Sequence, residues 1–184
     1  MDILLVTIMP VILGGIFNML FCKTNFYRAH NAPIDGGRTL GDGKRIFGEN
    51  KTFAGFAGMI VFCMIFQVLT GLVCSVSSLS SELYTHHANT LIFNLYTGFL
   101  LGFAYMICEL PNSFVKRRLD ISPGKTRSPL SFVIDQIDSV IGVAFVICLF
   151  SGLWQHYFMY IVLGGAIHIA VNFVLYRLKI RRDP

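Results

Sequence analysis

Five apolar runs divide the chain: Met1 to Cys22, Phe53 to Val76, Ala88 to Cys108, Ser131 to Leu153 and Tyr157 to Tyr176. Each approaches or exceeds the roughly 20 helical residues that cross a hydrocarbon core about 30 Å thick. The pattern therefore predicts an all-α polytopic membrane protein with five transmembrane helices, built as a single integral membrane domain over residues 1–184. Composition agrees, since 54% of residues are hydrophobic and only 14% are charged, too few to clothe a water-soluble domain.

The charges orient the spans. Lys23, Arg28, Arg38, Lys44, Arg45 and Lys51 fall between the first two spans, and Lys116, Arg117, Arg118, Lys125 and Arg127 between the third and fourth. Arg177, Lys179, Arg181 and Arg182 follow the fifth, which accounts for all 15 basic residues. The connections Ser77 to His87 and Trp154 to His156 have no Lys or Arg. By the positive-inside rule the N-terminus is expected outside, and the C-terminus and two long loops in the cytoplasm, at a cell inner (cytoplasmic) membrane. The net charge of +5 then belongs to one membrane face, which points to anionic headgroups as neighbours and to no nucleic acid.

Several features have ordinary readings. The first run starts Met-Asp, without a basic n-region or a small-x-small site before Cys22, so a permanent span is expected rather than a cleaved signal. The five cysteines form no C-x-x-C pair and sit in or beside apolar runs, as small core residues do. His86 and His87 read as solvated, while Trp154, Tyr157 and Tyr160 suit an interfacial aromatic belt. In the last span His168, Asn172 and Tyr176 recur at i, i+4 and i+8 and form one polar face.

Candidate chemistry gathers in two segments. Between Glu109 and Ser139 a charge-dense break holds Lys116, Arg117, Arg118, Lys125 and Arg127 beside Glu109, Asp120, Asp135 and Asp138. Ser128-Pro129 reads as the N-cap and first position of the fourth helix, which puts Asp135 and Asp138 on one face of its early turns. Two such carboxylates either hold a hard cation with water and phosphate oxygens, or form salt bridges to the Lys116 to Arg118 cluster. The other segment runs from Asn31 to Gly55, where Gly36, Gly37, Gly41, Gly43 and Gly48 alternate with Asp35, Arg38, Asp42, Lys44, Arg45 and Lys51. Its glycines allow backbone N–H groups to approach an anion, although no G-x-x-x-x-G-K-[ST] register is present.

These residues carry a resemblance. Ser113-Phe114-Val115-Lys116-Arg117 and Asp135-Gln136-Ile137-Asp138-Ser139 resemble the two ends of the phosphatidate cytidylyltransferase (CDP-diacylglycerol synthase) signature. The nearer resemblance is to the shorter, five-span CDP-archaeol synthase family, as a bacterial-type member. It rests on DGKRIFGENKTFAG (Asp42 to Gly55), SFVKRRLDI (Ser113 to Ile121), DQIDSVIG (Asp135 to Gly142) and H-x-x-x-N-x-x-x-Y (His168 to Tyr176). Glu109-Leu-Pro-Asn112 stands before Ser113 where the archaeal pattern has Asp before Gly-Ser-Phe, so Glu109 becomes the candidate substitute for an acidic ligand. The Lys-Asp and His-Gly-Gly elements of the larger enzymes are missing.

The resemblance implies a CTP-dependent cytidylyltransferase that converts a membrane lipid phosphate, like phosphatidate or archaeol phosphate, to CDP-lipid and pyrophosphate. Lys116, Arg117, Asp135 and Asp138 would be catalytic. Asp42, Lys44, Arg45, Lys51, Ser113 and Arg118 would bind substrate. Asp135, Asp138 and Glu109 would take Mg2+, with Mn2+ the other candidate. CTP, the lipid phosphate and the bilayer are the implied partners, and a homo-oligomer is left open. A small transporter or non-catalytic lipid-binding protein would also have five spans and a basic face, but gives no reason for paired aspartates beside a basic cluster and should place its polar residues at the midplane. A CDP-alcohol phosphotransferase ranks lower, because its longer aspartate-rich motif is not found.

Overall fold

The computed structural model describes residues 2–123, 125 and 128–177. The basic residues Arg127, Lys179, Arg181 and Arg182 lie outside the described residues. Helices α1 (Asp2–Phe21), α3 (Phe53–Val76), α4 (Leu91–Arg118), α5 (Pro129–Ser151) and α6 (Tyr157–Arg177) make the bundle, and a short α2 (Asn25–Ala29) follows α1. All five long helices are apolar and long enough to cross a bilayer, so the chain is an integral membrane protein.

Sequence chemistry sets most helix ends. Thr24, Thr52, Thr90 and Ser128 each accept a hydrogen bond from a first-turn N–H, and Ser128 with Ser131 closes a reciprocal capping box in front of Pro129. The end of α5 needs left-handed backbone, which Gly152 supplies at φ 72°. Close packing between α3 and α4 depends on two glycines. A Cβ at Gly98 would lie 2.6 Å from Met64 Cα, and one at Gly102 would lie 2.7 Å from Ile60 Cα.

α4 differs from the sequence reading. The break expected from Glu109 onward is helical to Arg118, through Pro111, giving 28 residues. At 1.5 Å per residue that is about 42 Å, longer than the hydrocarbon core, so its charged end reaches the polar layer. Proline costs one internal hydrogen bond, but beyond it Glu109, Asn112 and Lys116 (i, i+3, i+7) form a stripe that meets partners on other segments and favours the helix. It ends in a two-bond cap: Ile121 N–H donates to Lys116 O (2.9 Å) and Asp120 N–H to Arg117 O (3.3 Å), with Asp120 at φ 57°.

All described Lys and Arg residues sit at one end of the bundle. At the other end Glu82, 2% exposed, accepts from Tyr160 Oη (2.8 Å) and pairs with His156 Nδ1 (2.8 Å), while its N–H donates to Thr7 Oγ1 (2.8 Å). Of the expected aromatic belt, Tyr160 is corrected. Tyr160 is fully buried as a partner of Glu82, whereas Trp154 is exposed. His86 and His87 are exposed, as expected, with His87 stacked on Phe93. The cysteines are free.

Candidate active site

At the basic end a cavity of about 710 Å³ opens between α1, α3, α4, α5 and α6. Its charged and polar wall includes Lys51, Glu109, Asn112, Ser113, Lys116, Arg117, Lys125, Asp135 and Asp138, with His168 and Asn172 from α6. Of the glycine-loop residues expected at the site, Lys51 meets the α4 and α5 residues here.

Its centre is made by α4 facing α5. Asn112 Nδ2 donates to Asp135 Oδ1 and to Asp138 Oδ2, both at 2.7 Å, so carboxylates one helical turn apart converge on one point. Lys116 Nζ, on a residue only 8% exposed, pairs with Asp135 Oδ2 at 2.7 Å. Asp138 Oδ1 also accepts from the Ser139 N–H at 2.6 Å. The salt bridge that the sequence offered as one of two readings is present between Lys116 and Asp135.

Lys51 closes the cavity from the loop side by pairing with Glu109. Its position follows from the start of α3: Thr52, the N-cap, is held by Tyr27 Oη (2.9 Å), which ties α2 to that helix and fixes the preceding residue. Glu109 is therefore engaged by a lysine, and among the described residues no group of three or more His, Cys, Asp or Glu has a metal-holding arrangement.

Asp42, Lys44, Arg45 and Arg118 do not border this cavity; they form the loop's own scaffold. Both Oδ atoms of Asp42 lie 2.7 Å from Arg118 Nη1, and the other arm of Arg118 reaches Lys44 O (3.0 Å) and Arg45 O. Lys44 Nζ donates to Arg118 O (2.9 Å) and Asp120 Oδ2 (2.6 Å), capping the end of α4. Asp35 anchors the other side by accepting from Arg45 and from the N–H groups of Gly37 (3.0 Å), Phe47 (3.1 Å) and Gly48 (3.1 Å). Burial alone would raise its pKa, but those donors outweigh it and hold the carboxyl well below the usual range. For Asp42 the Lys44 N–H, opposed by slight desolvation and helped by Arg118, lowers the pKa. Gly43 (φ 74°) and Gly48 (φ 106°) take backbone conformations that a side chain would strain.

The sequence matches the CarS-like CDP-archaeol synthase family over residues 3–184, nearly its whole length. The chain belongs to that family. The CDP-archaeol synthase of Archaeoglobus fulgidus is 29% identical over 185 residues, spanning 96% of this chain and 99% of the relative. That of Methanoculleus marisnigri is 34% identical over 162 residues, 83% and 89% of the two chains. A solved intramembrane enzyme for archaeal membrane lipid biosynthesis shares the fold, with TM-score 0.64, 20% identity and 92% of each chain covered. Membership in the CDP-archaeol synthase family makes the chain a nucleotidyltransferase of the cytidylyl-transferring kind, and the transporter reading is not favoured.

Asn112 and Gln136 are among the cavity residues that the sequence motifs did not mark as site residues. Asn112 stands i+3 from Glu109, the spacing of residues that share a helical face. Gln136, inside the aspartate motif, accepts from Asn172 Nδ2 through Oε1 (2.8 Å) and offers its carbonyl to His168 (3.2 Å), so the α6 polar face docks on α5. Tyr176 is exposed. Asn18 Oδ1, Asn172 Oδ1 and Arg117 Nε, all on cavity-lining residues, are buried without a hydrogen-bond partner among the described residues. Such orphaned groups are costly unless something else satisfies them.

Proposed function

We propose that the chain transfers the cytidylyl group of CTP to a membrane lipid phosphate, releasing CDP-lipid and pyrophosphate, as one catalytic domain whose basic end faces the cytoplasm. The observation that carries this reading is the convergence of Asp135 and Asp138 with Lys116, Arg117 and Lys51 around one large cavity in an integral membrane protein of the CDP-archaeol synthase family. The gathering of all described Lys and Arg at that end supports the orientation.

An oxygen of the lipid phosphate attacks the α-phosphorus of CTP. The bond to the oxygen bridging the α- and β-phosphorus breaks, and pyrophosphate leaves with the electron pair. The attacking oxygen is already ionised near neutral pH, so no side chain need form a covalent intermediate or remove a proton. The protein's work is to position two anions and hold them together.

Lys51, Lys116 and Arg117 supply the positive charge that draws two phosphate-bearing substrates to one place, and the partnerless Arg117 Nε is a donor in reserve. The carboxylate oxygens of Asp135 and Asp138 are hard donors that suit Mg2+ or Mn2+; substrate phosphates and water would complete the shell. Such an ion supplies charge stabilisation for the transferred group. Glu109 would join them only after release from Lys51. Asp42, Lys44, Arg45 and Arg118 fix the loop that presents Lys51 and so act as positioning residues for CTP.

The test is Asp138→Asn in purified protein with CTP, Mg2+ and lipid phosphate. Turnover should fall by roughly 100-fold or more, beyond the 10–100-fold typical of groups outside a metal's ligand shell. Retention of full metal-dependent turnover would remove the metal role.

A further inference from the structure

Beside the polar cavity lies a second recess, between α1 and α6 and floored by α5, lined mainly by aliphatic side chains such as Ile8, Ile12, Ile16, Val143 and Val171, with polar side chains where it meets the cavity. It shares Gly15, Met19, Tyr105, His168 and Asn172 with the polar cavity, so the two are contiguous. Ile12, Ile16, Ile167 and Val171 are only partly covered, and α1 packs mainly on α3 while touching α6 lightly, which leaves the recess a groove in the wall of the bundle.

Dimensions and direction suggest its occupant. The groove follows α1 from Ile8 to Met19 and α6 from Gly164 to Leu175, about 16 Å of helix, or roughly half of a 30 Å hydrocarbon core. Both helices run toward the basic end, so it occupies the leaflet adjoining the phosphate-binding residues. Resting on the function proposed above, we infer that this α1–α6 groove seats one hydrocarbon chain of the lipid phosphate, with Gly15 as the opening through which the headgroup turns into the polar cavity. An aliphatic trough joined to a cationic pocket matches a molecule with an apolar chain and an anionic head.

Gly15 makes the idea testable. A Cβ there would meet nothing within 4 Å, in contrast to Gly14 one residue earlier, where it would lie 2.8 Å from Cys63 Sγ. A larger side chain at Gly15 therefore projects into the opening without first displacing a neighbouring helix. Gly15→Ala and Gly15→Leu would be assayed with long-chain and short-chain lipid phosphates, alongside thermal melting. Gly15→Leu should raise KM for the long-chain substrate by about 10-fold or more relative to the short-chain one, with Gly15→Ala in between. Should Gly15→Leu not fold, Ile16→Ala, which widens the groove, should reduce the preference for the long over the short chain. Equal effects on long chain and short chain, or no effect of either filling or widening on chain preference, would overturn the groove assignment while leaving cytidylyl transfer standing. A folded wild-type protein that made no CDP-lipid from either substrate would instead overturn the function on which it rests.

Discussion

Lys116 and Asp135 provide a quantitative test of the site's interior. Their side chains are 11% and 21% exposed and their charged atoms are 2.7 Å apart. At an effective dielectric constant near 20 the attraction is about 6 kcal/mol, most of it offset by desolvation of both ions. Lys116→Met would leave Asp135 in the cavity wall with Asn112 as its remaining hydrogen-bond donor, at a cost of about 3 kcal/mol, the low end for a buried pair because the carboxylate is partly exposed. Adding Asp135→Asn removes the stranded charge, so the double variant should recover about 2–3 kcal/mol of that loss. Unfolding of the four proteins in mixed micelles, titrated with a denaturing detergent, measures the coupling. None of the variants should regain turnover, because both groups line the cavity. Strictly additive stabilities would refute the claim that the two charges hold each other inside the bundle.

Other predictions concern the surroundings. Asp35 has a depressed folded-state pKa, so its stabilising contribution is fully present above the unfolded carboxylate value of about 3.9 and is lost only as pH falls through the lower folded value. Resistance of the 35–48 loop to proteolysis should accordingly persist to about pH 4 with an acid-active protease, and Asp35→Asn should abolish it throughout. Tyr160→Phe removes a donor to the buried Glu82 carboxylate, and should cost about 1.5–3 kcal/mol of stability while kcat at moderate temperature is retained, since the cluster lies at the far end from the cavity.

Much of the architecture could be read from sequence because a bilayer imposes a simple rule on composition. Four of the five spans fell within a few residues of the helices, and the Ser128-Pro129 start put Asp135 and Asp138 on one face, where Asn112 meets them. The continuation of α4 to Arg118 was obscured by Pro111 and by charge density, both of which ordinarily signal a loop; only the facing partners on α5 and the glycine loop make a charged helical end favourable. The glycine loop read as an anion cradle, yet Asp42, Lys44 and Arg45 spend their charges on Arg118, Asp120 and Asp35. Partner choice among so many charges is a three-dimensional matter that spacing does not encode. Glu82 drew no notice, although a lone acid in a connection without Lys or Arg was a signal of a buried partner.

The most direct measurement follows the α-phosphorus. Purified protein in lipid micelles would receive CTP labelled at that phosphorus, Mg2+ and a long-chain lipid phosphate. The account predicts label in a CDP-lipid with pyrophosphate released in equal amount, and loss of both in Asp135→Asn and Asp138→Asn. CTP consumed without label entering the lipid, or transfer of the terminal phosphate instead, would contradict it.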